Sequence, residues 1–181
     1  MRMLLTSHPD LLGMSAPDFS LRGTDDRVHS LHDYDDATLL VVIFLCNHCP
    51  YVKAIIPRLN ALAREFAKKN VRFVGINAND AAQYPDDSFE NMKHTPLVFD
   101  YLYDETQEVA KAYKAVCTPD VFVFDADRVL RYHGRVDDNW QDENAVTKHE
   151  LRDALNALLR GEEVTKQHPS MGCSIKWKVK N

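Results

Sequence analysis

A chain of 181 residues, 45% hydrophobic and 27% charged, has the length of one domain with an arm or tail and enough apolar side chains for a real core. Its net charge of −5 argues against nucleic acid or an anionic membrane as the main partner, because both select basic surfaces. No apolar run approaches the ~18 residues of a membrane span. The apolar stretch after Arg2 is too short for a secretion signal, so the cytosol is the expected location.

In chain order, residues 1–16 read as an arm. "DFSLRG" (18–23) and "RVHSL" (27–31) are short strands around the turn-like "TDD". "TLLVVIFL" (38–45) is a continuous apolar run rich in β-branched residues, which predicts a strand buried on both faces. From Pro50 to about Asn70 the period becomes helical, with Val52, Ile55, Ile56, Leu59, Leu62, Ala63 and Phe66 on one face. Pro50 suits a first turn, and Pro57 is expected to kink the interior. "VRFVGIN" (71–77) is a strand, a short helix lies near 87–94, and 97–104 contains another strand. A short helix covers 106–113, and 121–125 with 129–136 predicts a hairpin. A last helix spans about 145–160, with Thr147 and Glu150 at capping-box spacing and Gly161 just past its end. In the tail, Met171, Cys173, Ile175, Trp177 and Val179 alternate with small and lysine residues, including Lys180, which predicts a half-buried edge strand. The order reads as an α/β fold with a central mixed sheet: a domain over 17–160 and a tail over 161–181 packed on it.

The sequence holds four cysteines, which in a cytosolic chain are expected to be reduced, catalytic or metal-bound rather than a disulfide framework. Two of them form Cys46-Asn47-His48-Cys49, where a buried strand runs into an amphipathic helix. A helix N-terminus offers unpaired N–H groups and the positive end of the dipole, which stabilise a thiolate. Cys46, the outer residue, is therefore expected to be the nucleophile with a lowered pKa, helped by His48, and Cys49 to close a disulfide onto it. A structural zinc needs about four ligands, and only one C-x-x-C is present, with Cys117 and Cys173 isolated.

"APDFSL", "VVIFLCNHCP" and "CTPDVFVFD" followed by a hairpin, in this order over about residues 13–160, resemble the thioredoxin superfamily, and within it the AhpC/TSA-type branch of peroxiredoxins and TlpA-like thiol-disulfide oxidoreductases. The resemblance implies a thioredoxin-like fold with an added N-terminal hairpin and a cis-proline facing the cysteine pair. Thr95-Pro96 and Thr118-Pro119 compete for that place, and the order of motifs selects Pro119. Thr118 would then leave backbone groups free for a substrate peptide added as a strand.

The same resemblance weighs oxidoreductase against peroxidase. Peroxiredoxins carry P-x-x-x-T-x-x-C, and with Cys49 as the aligned cysteine this chain has Val42 for the proline and Cys46 for the threonine. Where they place an arginine to polarise the peroxide it has Pro119. The buried acid of many thioredoxins is Leu40 here, and the tryptophan before the first cysteine is Leu45. The x-His dipeptide implies a potential more oxidising than the about −270 mV of thioredoxin. The expectation is thiol-disulfide exchange through Cys46 and Cys49, supported by Asn47, His48, Thr118 and Pro119. Its partners would be protein or small-molecule disulfides and an external thiol reductant, with no cofactor. The alternatives are a thiol peroxidase using Cys49 or Cys46 and, outside catalysis, a Cu(I)-binding chaperone. Cys117 reads as a small buried hydrophobe, and Cys173 as packed beneath the tail strand or as an additional resolving thiol. His133, Trp140 and the acid-rich 29–36 read as structural or solvated.

Overall fold

A computed structural model of the chain describes residues 4–7 and 9–179. The 1–16 arm contributes a strand, β1 (Leu4–Thr6), and a 3-10 turn at Pro9–Leu11; residues 1–3 and 8 lie outside the described residues. β2 (Ser20–Gly23) and β3 (Val28–Ser30) form the first expected hairpin. β4 (Leu39–Phe44), α1 (Pro50–Ala67) and β5 (Val71–Asn77) follow as one strand-helix-strand unit. A 3-10 turn at Pro85–Asp87 leads into the single turn α2 (Phe89–Met92), then β6 (Asp100–Tyr103) and α3 (Glu108–Ala112). The two-residue β7 (Cys117–Thr118) precedes the hairpin of β8 (Asp120–Phe124) and β9 (Leu130–Gly134), and α4 (Glu150–Leu159) and β10 (Met171–Ser174) complete the chain.

Seven strands build a mixed sheet in the order β3-β2-β6-β5-β4-β8-β9. β4 pairs in parallel with β5 and antiparallel with β8, so it lies mid-sheet. Every residue of β4 is buried, and the pleat explains why the run is continuously apolar. Leu39, Val41 and Ile43 face one core with Val52, Ile55, Leu59 and Phe66 of α1 and Leu151 and Leu155 of α4. Leu40, Val42 and Phe44 face the other with Val109 and Ala110 of α3, Tyr113, Phe122 and Phe124. Each such Leu, Ile or Phe contributes roughly 1.5–3 kcal/mol on burial. The helix runs past Pro57 without ending there. Among the described residues no helix is long and apolar enough to cross a membrane.

Two expectations are corrected. Thr147 does not cap α4: its N–H donates to Asp138 at 2.8 Å, its hydroxyl also binds Asp138, and the helix starts after His149. Glu150 is drawn instead to Arg135, at 2.7 Å. Gly161 does follow the helix with φ +76°. The tail strand, in turn, is not an edge. β10 lies between β1 and β7 in a second, three-stranded antiparallel sheet. The predicted alternation holds for Cys173 and Ile175, which are buried, and fails at Met171, Trp177 and Val179, which are exposed. Lys180 lies outside the described residues.

One buried cation fastens α1 to the segment after β9. Arg58 donates to the Asp137 carboxylate at 2.6 Å and to the carbonyls of Asn139 and Trp140, both at 2.8 Å. Removing one partner of a buried pair leaves the other charge without compensation. Arg58→Ala should therefore lose about 3–5 kcal/mol in urea unfolding, whereas Arg152→Ala, at a half-exposed pair with Glu65, should lose at most about 1 kcal/mol.

Candidate active site

β4 ends at Phe44 and α1 begins at Pro50, so residues 45–49 turn over the C-terminal edge of the central sheet. Cys49, not Cys46, is the N-cap of α1. The two thiols are close enough for each to shift the other's titration. Both meet Thr118, whose hydroxyl lies 3.1 Å from Cys46 Sγ and whose carbonyl oxygen lies 3.4 Å from Cys49 Sγ. The Thr118-Pro119 bond is cis, and it is the one cis peptide among the described residues, as the order of motifs required. Thr95 serves differently, donating its hydroxyl to Asn47 Oδ1 at 3.0 Å.

The sequence leaves no acid at position 40, but the structure supplies one from elsewhere. Asp87, fully buried, accepts from Asn47 N–H at 2.6 Å, from His48 Nδ1 at 2.5 Å and from Asn79 Nδ2 at 2.7 Å. Burial pushes its pKa up, but the hydrogen bonds from His48 and Asn79 outweigh that and leave it below its ordinary value. Asn47 completes the bracket: its side chain donates to Asp86 O at 2.9 Å and accepts from Tyr101 OH at 3.0 Å. His48 stacks on Tyr84, with ring centroids 5.5 Å apart. Asp87 stands within the polar stretch "NANDAAQYPDD", whose density of Asn and Asp is the sequence signal for it. Nothing local reveals that it reaches back 40 residues to position 47.

The expected charge distribution is reversed. The Cys46 thiol is held well above its ordinary pKa by its contact with Cys49, by burial and by the nearby Asp87 charge. Cys49 falls to about 5, because Cys46 donates to it, with further help from Cys173 and the Val52 N–H of the first helical turn, against burial. Cys49, though the N-cap of α1, makes no side-chain capping hydrogen bond, so its shift comes first from Cys46, and His48 turns its Nδ1 toward Asp87 rather than toward Cys46.

The remaining cysteines separate. Cys117 is buried, 3.6 Å from the Pro119 carbonyl oxygen, and burial drives its thiol far up. Cys173 reaches the site: its Sγ lies 3.1 Å from Cys49 Sγ. β10 pairs with β7 so that Cys173 stands opposite Thr118. The backbone of Thr118 is therefore already paired with this chain's own tail, and the expectation of an edge left free for a substrate strand is corrected. His133 is buried, 2.8 Å from Asp120 and stacked on Phe122. Trp140 packs on Tyr51, centroids 4.1 Å apart. A groove of about 280 Å³ beside Pro119 is lined by Tyr51, Ile55, Trp140 and Met171.

Cys46, His48 and Asp87 each offer a donor atom within 4.8 Å of the others, the one such group among the described residues. Three ligands match an open zinc site, but His48 Nδ1 already donates to Asp87. The acid-rich 29–36 forms local contacts instead, such as His32 to Asp35 at 3.1 Å.

Two measurements follow from these charges. Thiolate absorbance should persist down to about pH 5, the Cys49 value, and that step should vanish in Cys49→Ser. Asp87 has a lowered folded-state pKa, so its contribution to stability is present above the ordinary carboxylate value of 3.8 and is lost as the pH falls below it. Asp87→Ala should accordingly cost about 3 kcal/mol or more at pH 7, because buried donors lose their acceptor, and the difference from wild type in urea unfolding should narrow in acid.

The chain resembles known structures along its whole length. An uncharacterized conserved protein from Geobacillus kaustophilus is 47% identical, with TM-score 0.93 over 99% of this chain and 98% of that one. A hypothetical protein from Sinorhizobium meliloti is 38% identical, with TM-score 0.91 over 97% of this chain and 99% of that one. A protein from Chlorobium tepidum assigned as a thiol:disulfide interchange protein DsbE is 20% identical, with TM-score 0.66 over 82% of this chain and 97% of that one, a likeness of fold. No curated protein matches the sequence. The thioredoxin-like α/β fold is shared with these neighbours. The AhpC/TSA family profile matches residues 12–133, and the chain belongs to the AhpC/TSA family.

Proposed function

We propose that the protein is a thiol-disulfide oxidoreductase working through Cys46 and Cys49. The observation that carries this reading is the convergence of both sulfurs on Thr118, one at its hydroxyl and one at its carbonyl.

The resting pair is a Cys46 thiol hydrogen-bonded to a Cys49 thiolate. As Cys46 attacks a substrate disulfide, its proton passes to Cys49, and Thr118 O, 3.4 Å away, accepts the new S–H. The Thr118 hydroxyl at 3.1 Å donates to the Cys46 sulfur as its charge develops. The first substrate thiolate leaves and takes that proton from Cys49. Cys49 then attacks Cys46 Sγ, and the second substrate thiolate leaves. An external thiol reductant returns the pair to its dithiol form. The absence of an acid at position 40 is thereby met, because Cys49 needs no separate proton acceptor at rest. The apolar groove of Tyr51, Ile55 and Trp140 beside Pro119 is the surface on which the substrate disulfide approaches.

A peroxidase would need a donor for the breaking O–O bond, and Pro119 stands where the arginine would be. Insulin-disulfide reduction should exceed hydroperoxide consumption and should be lost in both Cys46→Ser and Cys49→Ser. Cys49→Ser should retain substrates as mixed disulfides on Cys46. Peroxide turnover that survives Cys46→Ser but not Cys49→Ser would reverse the reading, and Cu(I) or zinc retained through purification would favour metal binding. Stabilising a thiolate stabilises the reduced state, so a glutathione titration should give a potential above the about −270 mV of thioredoxin.

A further inference from the structure

β10 occupies the strand-pairing edge of β7 as an added peptide strand would. Cys173 stands opposite Thr118 and Ser174 opposite Cys117, while β1 closes the other side with Leu4 opposite Cys173. The placement is held from several directions. Ile175 N–H donates to Val116 O at 3.1 Å, the Ser170 hydroxyl to Gly134 O at 2.7 Å, and Lys176 N–H to Asn79 Oδ1 at 2.8 Å. Gly172 lies flat on the Thr118 carbonyl, where a Cβ would overlap it, so only glycine allows this approach. The outcome is a buried sulfur on a fixed strand, 3.1 Å from Cys49 Sγ. Two reacting groups held at such a distance gain the rate advantage of an intramolecular step.

We propose that Cys173 is a third redox thiol of the site, which takes over the disulfide from Cys46 by attacking Cys49 Sγ. The Cys173–Cys49 bond forms and the Cys46–Cys49 bond breaks; Cys173 sulfur is oxidised and Cys46 sulfur reduced. The proton leaves Cys173 and ends on Cys46, and no outside oxidant is consumed. Cys46 is returned as a thiol, and the oxidised form carries its disulfide between the start of α1 and the tail. The external thiol reductant of the proposed function then acts on Cys49–Cys173. This inference rests on the proposed exchange at Cys46 and Cys49.

The test is to oxidise the reduced full-length protein with oxidised glutathione, quench in acid, alkylate with maleimide and map the linkages by non-reducing digestion and mass spectrometry. The expected result is a Cys49–Cys173 linked peptide with maleimide on Cys46. Gly172→Ala should shift the linkage to Cys46–Cys49 and the label to Cys173, and Cys117→Ser should leave the wild-type pattern unchanged. Wild-type protein holding only Cys46–Cys49, with the label on Cys173, would overturn the proposal while leaving the exchange reading intact. Cys173→Ser separates the two levels. It should still form Cys46–Cys49 on oxidation, and absence of that linkage there together with no linkage at Cys49 in wild type would remove the exchange reading and this inference with it. Cys46→Ser treated with diamide supplies a second arm, in which a Cys49–Cys173 linkage is expected and its absence counts against the proposal.

Discussion

A thiolate inside a protein persists only where donors replace the water it has lost. Cys49 is such a sulfur, and the site is organised around its needs. The thiols of Cys46 and Cys173 and the first turn of α1 aim at it. Cys46 and the first turn of α1 belong to one segment and Cys173 to another, so the charge is stable only when the β4–α1 turn and the tail strand are both in place. Asp87 belongs to the same arrangement from the other side. By binding Asn47 and His48 it fixes the intervening dipeptide and sets a negative charge near Cys46, which keeps the proton there.

Much of this was legible in the sequence where local pattern and burial agree. The apolar run of β4, the helical period of α1 and the hairpin of β8 and β9 follow from periodicity alone. The cis bond at Pro119 required the order of motifs, since nothing local separates Thr118-Pro119 from Thr95-Pro96. What was not legible depends on partners distant in sequence. Asp87 is an acid in a polar stretch until position 47 is folded against it. Thr147 has capping spacing, but Asp138 competes for its N–H and hydroxyl. Alternation reported a half-buried tail strand without saying that β1 and β7 flank it. The lowered pKa expected at Cys46 falls on Cys49 instead, because Cys46 and Cys173 both act on the Cys49 sulfur while His48 is held by Asp87, and none of these partners shows in chain order.

For the proposed exchange, the tail also narrows what a substrate can be. A polypeptide that docks by main-chain pairing must compete with a strand already hydrogen-bonded on both of its edges, and such a strand is far less available than an open edge. The apolar groove at Tyr51, Ile55 and Trp140 makes no such demand and suits a disulfide presented on a small molecule or an exposed loop.

The separation of 124 residues between Cys49 and Cys173 has a consequence for biosynthesis. A chain emerges from the ribosome in order and folds as its segments become available. The β4–α1 turn is made first and the strand that covers it only 124 residues later. During that interval the two cysteines sit beside an unpaired β7 edge, open to any thiol or disulfide in their surroundings. Arrival of Gly172 and Cys173 ends this exposure, so the site closes only when the tail strand docks on β7.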